Sequence, residues 1–171
     1  MAVLPIRKYG DEVLRRPTEP VTTFDEALQR LIDDMVETMH AAPGVGLAAN
    51  QVGVGRRLAV IDLSAGKRSG EVHVLINPEI VEVQGRASDV EGCLSIPDMT
   101  ENVARPERVR ARFFDRNGQP RELTGEGLLA RALSHEIDHL EGRLFLEHLR
   151  GFKRDRILKR IQKLARAGMW S

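Results

Sequence analysis

The residues best suited to chemistry are His135-Glu136-Ile137-Asp138-His139. On a helix, residues four apart share a face, so both imidazoles can reach one metal ion. Glu136 directly follows the first histidine, where a carboxylate can handle the proton of a water activated by that ion. A helix with two hydrogen-bonded histidines and surface acids would read the same, but the setting favours a metal. Leu128, Leu129, Leu133, Ile137 and Leu140 imply burial. Two histidines and two carboxylates buried without partners would be costly, and a metal supplies the partner.

Two histidines leave coordination positions to fill. Downstream, Gly142 stands at the spacing of a familiar metallopeptidase pattern, but Phe145 occupies its next ligand position and cannot bind a metal. Glu147 and His148 follow without matching such a pattern. The upstream candidate is Glu91-Gly92-Cys93-Leu94-Ser95. Cys93, the only cysteine, suits either a small buried hydrophobe or a soft ligand. A lone thiol forms no internal disulfide and fits a reducing compartment.

The elements that must position these groups follow from periodicity. The 171 residues suit one domain, 1–171, and a chain of this size buries roughly 70% of its unfolded surface. A net charge of +1 points to neither nucleic acid nor membrane. No run approaches the ~20 apolar residues of a membrane span. Met1 to Arg16 is broken by Arg7, Lys8, Asp11 and Glu12, so no signal-peptide core is expected and a cytoplasmic protein is. Asp11 to Arg16 suits a helical turn ended by Pro17. Thr23 and Glu26 have capping-box spacing for a helix over Phe24 to His40, stopped by Pro43 and Gly44. Gly44 to Gly55 reads as a loop. Leu58 to Leu63, Val72 to Asn77 and Ile80 to Gln84 read as strands. So does the alternation at Val109, Ala111 and Phe113, with a hairpin turn at Asn117-Gly118. Leu128 to Leu140 is apolar on nearly every side and predicts a buried helix ended near Gly142. A basic helix is expected at about 152–167. Gly44, Gly46 and Ala49, with Asp62 beyond, formally fit a dinucleotide fingerprint. They follow a helix rather than a strand, so no dinucleotide is expected.

Three segments together resemble the signatures of peptide deformylases of the bacterial type: Gly44-Val45-Gly46-Leu47-Ala48-Ala49-Asn50-Gln51, Glu91-Gly92-Cys93-Leu94-Ser95 and His135-Glu136-Ile137-Asp138-His139. The resemblance extends from the N-terminal segment through Phe145. It implies a single-domain α+β fold in which β-sheets surround the buried HExxH helix, with a C-terminal helix. It implies a metal-dependent hydrolase that removes the N-formyl group from the N-terminal methionine of nascent polypeptides, releasing formate. One divalent ion would be held by Cys93, His135 and His139: Fe²⁺ in the cell, with Zn²⁺, Ni²⁺ or Co²⁺ as substitutes. Three protein ligands and an open position make a catalytic site. Glu136 would move protons, and the Gln51 side chain and the Leu94 backbone N–H would receive the oxyanion. Asp138 would pair with Arg105 to brace the helix. Thr100 stands where some bacterial members carry an arginine.

The peptide would lie against Val45, Gly46 and Gly92. Leu128, Arg131 and Ala132 share the helical face of His135. Leu128 and Ala132 would form a recess for methionine, with the Arg131 stem beside it and its charged head in solvent. On the last helix, Ile157, Leu158, Ile161, Leu164 and Ala165 form one stripe; Arg156, Lys159, Arg160, Lys163 and Arg166 form the opposite face. The cationic face is either solvated or, as the resemblance implies, docked on the ribosome near its exit tunnel. Two other functions use the same residues: an HExxH metallopeptidase, which Phe145 argues against, and a non-enzymatic ribosome-associated metal protein.

Overall fold

The computed structural model describes residues 2–170. Among them are three α-helices: α1 (Glu26–Ala41), α2 (Leu128–Leu140) and α3 (Phe152–Arg166). The strands are β1 (Gly46–Ala48), β2 (Leu58–Ile61), β3 (His73–Gln84), β4 (Ala87–Cys93), β5 (Ile96–Arg105), β6 (Arg108–Phe114) and β7 (Pro120–Glu126). An antiparallel sheet runs in the order β1-β2-β3-β6-β7, while β4 and β5 form a separate antiparallel hairpin. No helix among the described residues is long and apolar enough to cross a membrane.

Side chains of a strand alternate between faces, and the large sheet is covered on both. Val60 and Ile76 pack with Leu28, Ile32, Met35 and Met39 of α1. Ile61 and Leu75 join Val109, Ala111 and Phe113 against Ala130, Leu133 and Ile137 of α2. This two-sided cover is why all of β2 is apolar and buried. The hairpin contributes Ile96, Met99 and Val103 to a third cluster with Leu144, Phe145, Leu146, Leu149 and two α3 residues, Ile157 and Ile161. Thus α2 lies between the large sheet and the hairpin. The chain's last turn reaches back to its N-terminal segment, where Trp170 Nε1 donates to the Tyr9 carbonyl at 2.8 Å.

Several elements differ from the sequence reading. Asp25, not Thr23, caps α1; its carboxylate accepts the Leu28 N–H at 2.9 Å. The expected loop after Gly44 holds β1 and a 3-10 turn over Ala49–Val52. β2 stops at Ile61, and the Asp62 carboxylate takes the N–H groups of the following turn. Two expected strands are one, β3, with a register shift near Asn77. Asn77 adopts φ 53° and is held there by its side chain, which bonds both backbone groups of Val21. The β4–β5 hairpin has no counterpart in the sequence reading.

Candidate active site

Helix α2 is buried from Ala130 through Ile137, and His139 is fully enclosed. Its two histidines project toward the hairpin, where β4 ends at Cys93. Cys93 Sγ lies 3.2 Å from His139 Nε2, and that nitrogen lies 3.1 Å from His135 Nε2. All three donor atoms fall within 4.8 Å of one another. Tetrahedral bonds of about 2.0–2.3 Å would set ligand atoms about 3.3–3.8 Å apart, close to what is seen. One soft sulfur and two imidazole nitrogens converging in this way fit a divalent transition-metal ion. The far nitrogen of His135, Nδ1, is already engaged by Glu91 at 2.7 Å, which leaves Nε2 for the ion.

Glu136 is 3% exposed, and its Oε1 has no hydrogen-bond partner. Burial pushes its pKa up to about 7. Its carboxyl group rests against Gly46 of β1. The buried Gln51 has a defined orientation. Its Oε1 accepts the Ala48 N–H at 3.0 Å, so its NH₂ end must face the other way. That end donates to Ser95 Oγ at 3.0 Å and faces Cys93 Sγ at 3.7 Å. Leu94 and Ser95 form the turn of the hairpin beyond a register shift at Gly92/Cys93.

Behind the donor set lies a buried ionic cluster that the sequence reading only partly named. Arg105 holds both oxygens of Glu91, at 3.1 and 2.7 Å, and reaches Asp138 at 2.5 Å. Burial works to raise the Glu91 pKa, but hydrogen bonds from His135 and Arg105 override it and hold the carboxyl well below the usual range. Arg131 corrects an expectation. Its head does not reach solvent; it is buried on Glu91 and the carbonyls of Val103 and Ala87. An enclosed guanidinium needs such acceptors, and β4 and β5 provide them.

A cleft of about 640 Å³ opens over these groups. Val45, Gly46, Gly92, Leu128, Arg131 and Ala132 all line it, as do Gln51, Cys93, Leu94, His135 and Glu136. Leu128 is 54% exposed, so it sits at the cleft's rim and not in the core. Sequence reasoning overlooked Glu91 and Ser95 as functional residues, although both belong to a segment it had singled out. On a strand, Glu91 and Cys93 share a face, so recognising β4 would have placed Glu91 beside the ligand.

Comparison with known proteins places this geometry. The family described as Polypeptide deformylase matches residues 3–155. The chain is 52% identical over 170 residues to a peptide deformylase of Acidobacterium capsulatum, covering 99% of this chain and 100% of that one. It is 52% identical over 164 residues to that of Azotobacter vinelandii, covering 95% and 96%. The crystal structure of a peptide deformylase from Legionella pneumophila superposes with a TM-score of 0.92 at 47% identity, covering 99% of each chain. That of Synechococcus elongatus, solved in complex with actinonin, gives 0.88 at 42% identity, covering 92% of this chain and 86% of that one.

Proposed function

The chain belongs to the polypeptide deformylase family, and from that premise we propose how its own residues carry the reaction. It is a metal-dependent hydrolase that removes the formyl group from nascent formyl-peptides. The observation that carries this reading is the convergence of Cys93, His135 and His139 beside a buried, partner-free Glu136.

Cys93, His135 and His139 would hold one divalent ion, which we take to be ferrous iron in the cell, with zinc, nickel or cobalt able to replace it. When bound, the ion would supply Lewis acidity for the hydrolysis. Glu136 takes the proton of the attacking water and delivers it to the departing amine, and its buried Oε1 has no other hydrogen-bond partner. The Gln51 amide and the Leu94 N–H donate to the oxyanion that develops on the formyl oxygen as its carbon is attacked. The peptide backbone lies along Val45, Gly46 and Gly92. Its first side chain enters between Leu128 and Ala132 beside the stem of Arg131. Asp138, paired with Arg105, fixes the α2 turn that carries the histidines.

The peptidase alternative lacks its third ligand, because Phe145 is fully buried in a hydrophobic cluster. We further place the enzyme in the cytoplasm, with the ribosome near its exit tunnel as a partner of α3. Lys159, Arg160, Lys163 and Arg166 are exposed there, which supports a surface for RNA phosphate.

The deciding experiment is formate release by metal-loaded Glu136→Gln. Formate release should fall by about 10²–10⁴-fold while metal content is kept. Near-normal turnover in the loaded variant rules out the proton-transfer role. A wild-type protein that cleaves internal peptide bonds but not formyl-Met peptides overturns the function itself.

A further inference from the structure

His148 matches no ligand pattern in the sequence, and it does not reach the donor set. It lies in a 3-10 turn over Phe145–His148 after α2, with its side chain 32% exposed. Its Nε2 meets Asp138 Oδ2 at 2.7 Å. Arg105 Nη1 meets the same oxygen at 2.5 Å and lies 3.1 Å from His148 Nε2, so the three groups form one cluster. The remaining arms of the Arg105 fork hold Glu91, and Glu91 Oε2 holds His135 Nδ1 at 2.7 Å. Four contacts therefore link a partly exposed histidine to the far side of a buried one. Arg131 also bonds Glu91, at 3.1 Å, so two carboxylates and two guanidiniums balance in the interior.

We propose that His148 is a positioning residue for His135, acting through Asp138, Arg105 and Glu91. The inference rests on the reading of His135 as a metal ligand. The physical argument concerns how one guanidinium divides itself. The Asp138 side chain is 15% exposed, and His148 and Arg105 both meet its Oδ2. Without His148, the carboxylate must draw its compensation from Arg105 alone. Arg105 then shifts toward Asp138 and loosens its hold on Glu91. Glu91 in turn fixes the tautomer and the plane of the His135 ring, and such partners govern how firmly an imidazole ligand binds. Charged hydrogen bonds coupled in a dry interior transmit a change at one end to the other.

The test is metal release. The purified protein is loaded with Co²⁺ and mixed with an excess of a chromogenic chelator at fixed pH, and the rate of transfer is followed. His148→Ala should release the metal about tenfold faster, toward the lower end of the losses seen when a partner of a ligand is removed. His148→Gln, whose side-chain amide can donate to Asp138, should restore a rate within about twofold of wild type. Urea unfolding of the metal-free proteins controls for general loosening, and the variants should unfold at the same midpoint as wild type. Release from His148→Ala at the wild-type rate overturns the proposal. Equally fast release from both variants also overturns it, since the hydrogen bond would then not be the cause. A parallel His135→Ala protein separates the two readings. It should retain no Co²⁺, and if it binds the metal normally, the site assignment falls, and this inference with it.

Discussion

The carboxyl group of Glu136 occupies the space that a side chain on Gly46 would need. A Cβ built on Gly46 would come within 2.9 Å of Glu136 Cδ and closer still to Oε2. The backbone of Gly46 has ordinary strand geometry, so the constraint is steric and not conformational. Gly46→Ala should therefore fold normally yet push the carboxylate out of place. Because a misplacement of about 1 Å can cost on the order of 10²-fold, kcat should fall by about that factor with metal content unchanged. Steady-state kinetics on a metal-analysed sample check this, and wild-type kcat would show that Glu136 has room to move.

Ala132 lines the cleft and is itself 5% exposed. Ala132→Phe should fill the proposed methionine recess. The KM for formyl-Met peptides should rise about tenfold or more, while that for formyl-Gly peptides changes little. One missing methylene in a hydrophobic pocket is already worth about 1–3 kcal/mol, so a blocked pocket should separate these substrates clearly. Equal effects on both would place the recess elsewhere.

A pH dependence follows from Asp62, which is fully buried after β2. Its oxygens accept Ser64 N and Oγ, Gly66 N and His40 Nε2, at 2.6–2.9 Å. Burial alone would raise its pKa, but these hydrogen bonds override it and the value is lowered from 3.8. The folded state therefore favours the carboxylate. Its contribution to stability is present above pH 3.8 and is lost as the pH falls through the lower folded value. Asp62→Asn should cost about 1–3 kcal/mol in urea unfolding at pH 7. The gap to wild type should narrow below pH 3.8, and a gap independent of pH would contradict this.

The basic face of α3 is smaller than its sequence suggests. Arg156 is held by Glu101 of β5 at 2.6 Å, and Lys153 lies 3.9 Å from the same carboxylate. Charge reversal to test ribosome docking should therefore spare Arg156 and use Lys159, Arg160 and Lys163. The triple variant should lose about tenfold or more in co-sedimentation with ribosomes at low salt. Its activity on a short formyl-peptide should be unchanged. Wild-type sedimentation would leave α3 as a structural cap.

Legibility of the fold followed the chemistry of what is buried. Helix α2 was readable to both ends, because apolar residues recur through Leu128 to Leu140 at helical spacing and glycine follows at Gly142. The β6–β7 hairpin was readable from the alternation at Val109, Ala111 and Phe113 and from Asn117-Gly118. The β4–β5 hairpin was not. From Ala87 to Val90 every residue is exposed, and the first buried residue of β4 is the charged Glu91. Hydrophobic periodicity is blind to a strand whose inward face is ionic. The same gap hid Arg131. A lone arginine on an apolar helix looks destined for solvent, because its acceptors come from residues 28–44 positions away on the unseen hairpin. The three chemical segments were each visible, but of the charged groups that join them only the Asp138–Arg105 pair was.

The tie between Trp170 and Tyr9 has an optical consequence. This is the chain's single tryptophan, and Lys8 lies 5.9 Å over its ring. The Tyr9 carbonyl takes the indole N–H, while the Tyr9 N–H is bonded to the Ser95 carbonyl at the hairpin turn. Emission from one unlabelled fluorophore thus senses the seating of α3, the N-terminal segment and the turn that carries Leu94 and Ser95. Detachment of that corner would move the indole into water and shift its emission to the red.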